Sequence, residues 1–343
     1  MRIWAPGRVN LIGEHTDYTG GIVVPMAVQL GIEADLTPTP GVLSLRSDAD
    51  DTPVELTLPA PDLDRVAGWG RFIAAAARDH GADATTGWTG SLRSTIPVGA
   101  GLSSSAALSV AATLMFAPDD SVAGGNRSDP VATARAAQRV EQAATGVPCG
   151  IMDQLASSVG RAGSALRIDC NTLHVDPVPV PDDVAVVVVH SGQPRRLTDS
   201  AYAQRRAACE EAARRIGPLR DATTADLDSI TDPLLRRRAR HVVDENVRAD
   251  AFVDALSGGD AREAGRLMTA SHVSLRDDYE VSTEVLDALV ERLCASDGVF
   301  GARLTGAGFG GCVVALCRPG HDPTPAGHRS WTVVASDGAT RTG

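Results

Sequence analysis

The chain has 343 residues, 43% of them hydrophobic, and a formal net charge of -11 from 32 basic and 43 acidic side chains. Every basic side chain is an arginine, so a P-loop lysine, a Schiff-base lysine and a protein-kinase lysine are all excluded. Any phosphate chemistry must rest on backbone amides, hydroxyls, a metal ion and arginine, and no basic run or membrane-length apolar run points to nucleic acid or a bilayer as a partner.

From the amino terminus, a short apolar start at residues 2–4 leads into Ala5-Pro6-Gly7-Arg8-Val9-Asn10-Leu11-Ile12-Gly13-Glu14-His15-Thr16-Asp17-Tyr18-Thr19-Gly20-Gly21. Glycines and polar groups are too dense there for a helix, so Glu14, His15 and Asp17 are expected on a loop. Two carboxylates so close suit the vicinal hydroxyls of a sugar, each accepting hydrogen bonds from them. A metal site built on His15 is a weaker reading, because these residues are too close together to encircle an ion unaided. A plain polar turn between strands is the other alternative.

Strands are expected at residues 22–30, 32–36, 42–46 and 54–58, then a helix at 70–80 and a strand at 90–95. That last strand feeds Pro97, Val98, Gly99, Ala100, Gly101, Leu102, Ser103, Ser104 and Ser105, and a helix is predicted over 104–116. The glycines permit close backbone approach, and the hydroxyls stand at a helix start where amides are unpaired and the dipole is positive. Such a loop suits phosphate, although an N-capped helix after an ordinary turn has the same composition.

A polar connection at 121–128 precedes a helix at 131–144 that carries Glu141 near its end. The sequence Gly146-Val147-Pro148-Cys149-Gly150-Ile151-Met152-Asp153-Gln154 breaks that helix and opens another. Asp153 is either a dipole partner in a first turn or, among Ile151, Met152 and Leu155, a candidate base. Strands follow at 164–169 and 184–189, with a domain boundary between them, so that residues 1–182 and 183–343 form separate units. Helices are expected at 200–213, 234–256, 261–270 and 283–294, with a polar junction at 271–279. Tyr202, Arg205 and Arg206 either face a cleft or are ordinary surface residues. A strand at 298–304, a four-glycine loop at 305–312, and strands at 313–316 and 331–335 complete the chain. Six scattered cysteines without a C-x-x-C pair, and no signal-peptide pattern at the start, lead to the expectation of a cytoplasmic protein.

Residues 7–21, 97–108 and 304–312 resemble, in order and spacing, the three signature segments of the GHMP small-molecule kinases. The first looks like the galactokinase signature in particular, and residues 149–154 and 274–279 are similar to further galactokinase segments. The resemblance implies an α+β, two-domain GHMP kinase fold, with a ribosomal-S5-like N-terminal domain binding ATP and sugar and a ferredoxin-like C-terminal domain closing the cleft. By resemblance, Arg8 and Asp153 flank the sugar hydroxyl that is phosphorylated, and Glu14, His15, Asp17, Gly150, Asp153 and Tyr202 bind the sugar. By the same resemblance Pro97, Gly99, Ala100, Gly101, Leu102, Ser103, Ser104 and Ser105 bind ATP, the loop from Gly99 to Ser105 cradling its phosphates, Ser105 and Glu141 hold Mg²⁺, and the loop carrying Gly306, Gly308 and Gly310 closes over the site. The implied reaction is direct transfer from ATP to the anomeric hydroxyl of galactose. The alternatives are a kinase for N-acetylgalactosamine, arabinose or another galactose-like sugar, and a non-catalytic sensor of galactose and ATP. The expected partners are the small-molecule sugar and ATP, and the expected assembly is a monomer, with a dimer as its alternative. Two stretches depart from the family pattern: residues 193–197, and 317–330, where a helix expected between the last two strands is nearly absent.

Overall fold

The computed structural model describes residues 1–97, 99–118, 129–194 and 199–343, so the connection at 121–128 and Arg195, Arg196 and Leu197 lie outside the described residues. The first half contains β1 (Arg2–Asn10), β2 (Ile22–Val23), β3 (Pro25–Pro38), β4 (Val42–Ser47), β5 (Val54–Thr57), α1 (Gly70–Asp79), β6 (Trp88–Ser94), α2 (Ser104–Phe116), α3 (Pro130–Thr145), α4 (Met152–Val159), β7 (Ser164–Asp169) and β8 (His174–Pro179). The second contains β9 (Ala185–His190), α5 (Asp199–Ile216), α6 (Pro233–Ser257), α7 (Ala261–Asp277), α8 (Glu284–Cys294), β10 (Val299–Thr305), β11 (Cys312–Cys317), β12 (Ser330–Val333) and β13 (Thr340–Thr342).

A six-stranded sheet ordered β13-β1-β3-β6-β4-β5 is antiparallel except where β4 runs parallel to β6. In β3, Ile32, Ala34 and Leu36 are buried while Glu33, Asp35 and Thr37 are exposed, the period-2 signature of a sheet with one face covered. The cover is helical. Helix α2 packs on β1 and β3 and is buried around most of its circumference, Ser109 and Thr113 together with Ala106, Ala107, Val110, Ala111, Leu114 and Met115. Helix α3, started by the Asp129 cap and Pro130, packs on α1, α2 and α4. The second sheet, β10-β11-β9-β12, carries α7 and α8 against β10, with α6 on α7 and α5 on α6. A third sheet, β2-β7-β8, lies beside α6. The last strand, β13, returns to pair with β1, so the end of the chain joins the first sheet.

Several elements differ from their sequence expectation. The short start expected at residues 2–4 is longer: strand β1 runs on to Asn10, with its register shifted between Pro6 and Arg8, so Arg8 projects from a bulged strand. The predicted break at Gly31 is absent and β3 is continuous. A Cβ on Gly31 would lie 2.6 Å from both the Ala5 carbonyl and the Trp4 ring, so this glycine serves close packing and not a turn. Residues 271–277 continue α7 instead of forming a junction. The polar side chains of Ser271, His272 and Ser274 are buried and partnered: Ser271 donates to Glu245, Ser274 bonds His241, and His272 Nδ1 accepts from the Leu304 amide. Strands β8 and β13 have no counterpart in the sequence reading. No helix lies between β11 and β12, as that reading expects.

Candidate active site

The bulge at Gly7 sets Arg8 at the centre of a cleft of about 350 Å³. A Cβ on Gly7 would stand 2.5 Å from the Leu102 carbonyl, so only glycine lets β1 run this close to the glycine loop, and the Arg8 amide donates to that carbonyl at 3.1 Å. The Arg8 side chain reaches Asp153, in the first turn of α4, through two parallel bonds of 2.7 Å. Its Nη1 donates to the Gly101 carbonyl at 2.9 Å, and the Ser103 hydroxyl donates to the same carboxylate at 2.5 Å. Burial alone would lower the Arg8 pKa. The charge and hydrogen bonds of Asp153 outweigh that effect and hold it above its ordinary value.

One rim of the cleft is the loop carrying Glu14, His15 and Asp17. Glu14 is paired with Arg303 at 2.6 Å, both nearly sealed from solvent. Its amide and that of Gly13 donate to the buried Glu245, and its carbonyl accepts from His241 at 3.0 Å. Burial would raise the pKa of Glu245, but Arg248, His241 and Arg303 bring it down to about 2, so it serves as a fixed anion beneath the loop. Asp17 is affected in the opposite sense. Burial, with Asp153 and Glu14 nearby, raises it to about 7. Its carboxylate lies against Gly150, where a Cβ would fall 1.6 Å from Oδ2, so the glycine after Cys149 is a steric requirement. Tyr202, from α5, completes this side of the cleft. Arg205 and Arg206 instead bind the carbonyls of Tyr279, Glu280 and Pro148.

The opposite rim is the glycine loop. Gly99, Gly101 and Ser103 have φ of 77°, 66° and 57°, and Ser103, the residue before α2, makes no capping bond because its hydroxyl is committed to Asp153. The first amides of α2 are thereby left to a ligand, at the positive end of the dipole. Pro97, Ala100, Leu102, Ser104 and Ser105 also line the cleft. Glu141 bonds the Ser105 hydroxyl and the Gln154 amide, the latter at 2.6 Å, and burial raises its pKa to about 6. A second cavity of about 350 Å³ adjoins the first, sharing Ile96, Gly99, Ser104 and Ser105, and Ile32, Trp69, Phe72, Leu92 and Leu108 make it an apolar trough. Of the glycines in the 305–311 loop, Gly306 lines the cleft with Ala307, whereas Gly308 packs on Val281 and Gly310 on Gln193 and Pro194.

The sequence and the fold both match those of known proteins. Residues 2–36 match the galactokinase galactose-binding signature, residues 70–161 the GHMP kinases N terminal domain and residues 252–326 the GHMP kinases C terminal domain. The chain is 41% identical to the galactokinase of Homo sapiens over 96% of this chain and 86% of that one. It is 42% identical to the galactokinase of Chloroflexus aurantiacus, over 92% and 84%. The chain belongs to the galactokinase family. A crystal structure of Lactococcus lactis galactokinase complexed with galactose shares the fold at a TM-score of 0.88 and 31% identity, covering 99% of this chain and 95% of that one. A mevalonate kinase at 18% identity and a TM-score of 0.68 shares the fold alone. The architecture is therefore the α+β, two-domain GHMP kinase fold, and the chain is a sugar kinase of that family. Among the described residues no helix is long and apolar enough to cross a membrane.

The sequence reading misses several residues that support this cleft or line the trough beside it. Arg303 is the one charge in the otherwise apolar stretch from Ala302 to Leu304, and a lone arginine there is the signal of a buried partner. Gln154 follows Asp153 directly and holds Glu141. Trp69 and Phe72, which wall the trough, lie at the start of α1, far in sequence from every glycine motif.

Proposed function

We propose that this chain transfers the γ-phosphoryl group of ATP to the anomeric hydroxyl of galactose, giving galactose 1-phosphate and ADP without a phospho-enzyme. The observation that carries the reading is the bidentate Arg8–Asp153 pair standing between the sugar-type loop and the glycine loop. Three of the roughly four acceptor positions on the Asp153 carboxylate are filled by Arg8 and Ser103, which leaves one for a sugar hydroxyl. Asp153 receives the proton of that hydroxyl as the new O–P bond forms and the bond to ADP breaks, and Arg8 stabilises the charge on the group in flight. Glu14, Asp17 and Tyr202 bind the sugar, with His15 and Gly150 shaping the wall. The glycine loop and the α2 amides take the phosphates, and the trough beside Trp69 takes the base.

Mg²⁺ fits the residues present: Glu141 and Ser105 offer two oxygen donors in mutual contact beside the glycine loop, and a hard cation with few protein ligands completes its shell from phosphates and water. Those two residues would hold it, and when bound it neutralises charge on the β- and γ-phosphates. The reading divides the chain into residues 1–182, which carry ATP and sugar, and 183–343, which close the cleft. Six scattered cysteines without a C-x-x-C pair support a reducing, cytoplasmic setting.

The test is ADP release with galactose, N-acetylgalactosamine, arabinose, glucose and mevalonate, the phosphorylated carbon being identified by NMR. Galactose turnover at carbon 1 is expected, and Asp153→Asn should lose about 10²-fold or more in kcat. Turnover of another sugar in place of galactose would reassign the substrate. ATP binding with no turnover of any sugar would favour a sensor.

A further inference from the structure

Both ring nitrogens of His15 are committed. Nε2 lies 3.3 Å from the Ala307 carbonyl and Nδ1 lies 3.0 Å from the Tyr18 hydroxyl. The Tyr18 hydroxyl is in turn 2.5 Å from that of Tyr279, which is 3.1 Å from the Cys209 sulfur. A carbonyl can only accept, so Nε2 carries a proton. Burial, with His241 adding to it, lowers the His15 pKa to about 3, so the ring is neutral and Nδ1 must be an acceptor. Tyr18 therefore donates to Nδ1, which uses its only proton, and its oxygen accepts from Tyr279. Tyr279 in turn accepts from Cys209, whose thiol burial raises to about 11 and so keeps protonated. One carbonyl of the 305–311 loop thus sets the direction of every proton in this relay.

We propose that Tyr18 and Tyr279 are positioning residues which fix His15 as its Nε2–H tautomer, so that His15 ties the sugar loop to the 305–311 loop through the Ala307 carbonyl. Independent geometry converges on the same connection. His15 holds a left-handed backbone, φ 64°, which a non-glycine residue keeps only when its surroundings over-determine it. Its ring is packed by Tyr279, Tyr202 and Tyr18, with centroids at 4.8, 5.8 and 5.9 Å. The segment that supplies Tyr279 grips the same loop a second time, because the Val281 carbonyl accepts from the Phe309 amide at 2.8 Å. The Tyr279 carbonyl also accepts from Arg205, whose guanidinium lies 5.8 Å from the Phe309 ring centre. The role deepens the galactokinase reading, on which it rests for what the two loops enclose.

Long-range ¹H–¹⁵N NMR on ¹⁵N-histidine-labelled protein reads the tautomer directly, with His15 assigned by the signal lost in His15→Gln. The expected result is a single Nε2–H tautomer that does not titrate between about pH 5.5 and 8. Tyr18→Phe removes the donor to Nδ1. It should give a tautomer mixture and raise the galactose KM about five- to tenfold, while kcat and the ATP KM stay within about twofold. Tyr279→Phe should act in the same direction but more weakly, since Tyr18 still donates. A wild-type Nδ1–H tautomer, a His15 that titrates in that range, or a Tyr18→Phe protein with unaltered tautomer and KM would each overturn the proposal. The wild-type spectrum needs neither a variant nor turnover, so a protein inactive on galactose would count against the function while leaving this test intact.

Discussion

Replacing Arg303 with methionine should be among the most damaging single changes outside the reacting groups. Arg303 is fully buried on β10, and its Nη2 reaches Glu14 at 2.6 Å. Nη1 reaches the Asn10 carbonyl at 3.1 Å, but that carbonyl also accepts from Thr305 at 3.1 Å and would not be orphaned. The cost is therefore the Glu14 carboxylate, left buried without its cation. Breaking a buried pair in this way costs about 3–5 kcal/mol. Among the described residues the Arg303 Nε has no hydrogen-bond partner, so part of the guanidinium's desolvation is already uncompensated, and the lower end, about 3 kcal/mol, is expected. Urea unfolding of Arg303→Met measures this, and galactose KM measured in parallel should rise because Glu14 no longer holds one orientation. Adding Glu14→Gln removes the orphaned charge, so the double variant should be more stable than the sum of the two single losses by on the order of 2 kcal/mol. A single-variant loss below about 1 kcal/mol, or strict additivity, would refute the reasoning.

Gly150→Ala should raise galactose KM at least about tenfold with little change in the ATP KM, since a Cβ there falls 1.6 Å from Asp17 Oδ2 and the carboxylate must move; an unchanged KM would mean that Asp17 does not contact sugar. Asp17 also predicts a pH effect. Its folded pKa is about 7 against an unfolded value of 3.8, so the unfolded chain gives up this proton first and the Asp17 contribution to stability falls as pH rises from about 4 to 7. The stability of Asp17→Asn relative to wild type should therefore improve across that window and level off above it, as read from urea midpoints at pH 5, 6, 7 and 8. Over the same window the wild-type galactose KM should fall with rising pH, because only the ionised carboxylate accepts from sugar hydroxyls on all its lone pairs. Glu141, raised to about 6, must lose its proton to serve a cation, so the Mg²⁺ concentration for half-maximal rate should climb as pH drops below 6. Glu141→Gln should raise that concentration at least about tenfold at pH 8 and abolish the extra rise on acidification.

The chemistry-bearing loops were legible because each compresses its requirement into a few adjacent residues. Gly7 and Arg8 stand together since the same bulge must both approach Leu102 and aim the guanidinium, and Gly99, Gly101 and Ser103 stand close together since positive φ at alternate residues makes the turn. Contacts across long separations left no such local trace. Arg8 and Asp153 are 145 residues apart in the chain, and only the family resemblance joined them in the sequence reading. The end of α7 was misread for a related reason. Ser271, His272 and Ser274 are polar enough to suggest a junction, and the partners that make them tolerable inside a helix packing face lie on α6 and β10. At Gly31 a rule failed in the other direction: a glycine in a strand reads as a break, but here the facing Trp4 ring occupies the space that a side chain would need.

The distribution of partners around Glu14 bears on how this site could change its sugar. The residue's side chain is held by β10, its carbonyl by His241 on α6, and its amide by Glu245, which is itself bonded to Ser271 on α7. Each of those supports is buried, so a substitution at Glu14 disturbs groups that have no access to water to replace what they lose. Asp17 is different: it meets its pocket through the edge of Gly150, its backbone lies in a short 3₁₀ turn and its carboxylate accepts from the Tyr18 amide, but among the described residues no ion pair holds it. Changes of sugar preference should therefore be reached through Asp17, Gly150 and Tyr202 at small cost in stability. A change at Glu14 would need compensation at Arg303, and from α6 and α7 as well, before the protein folded well enough to be selected.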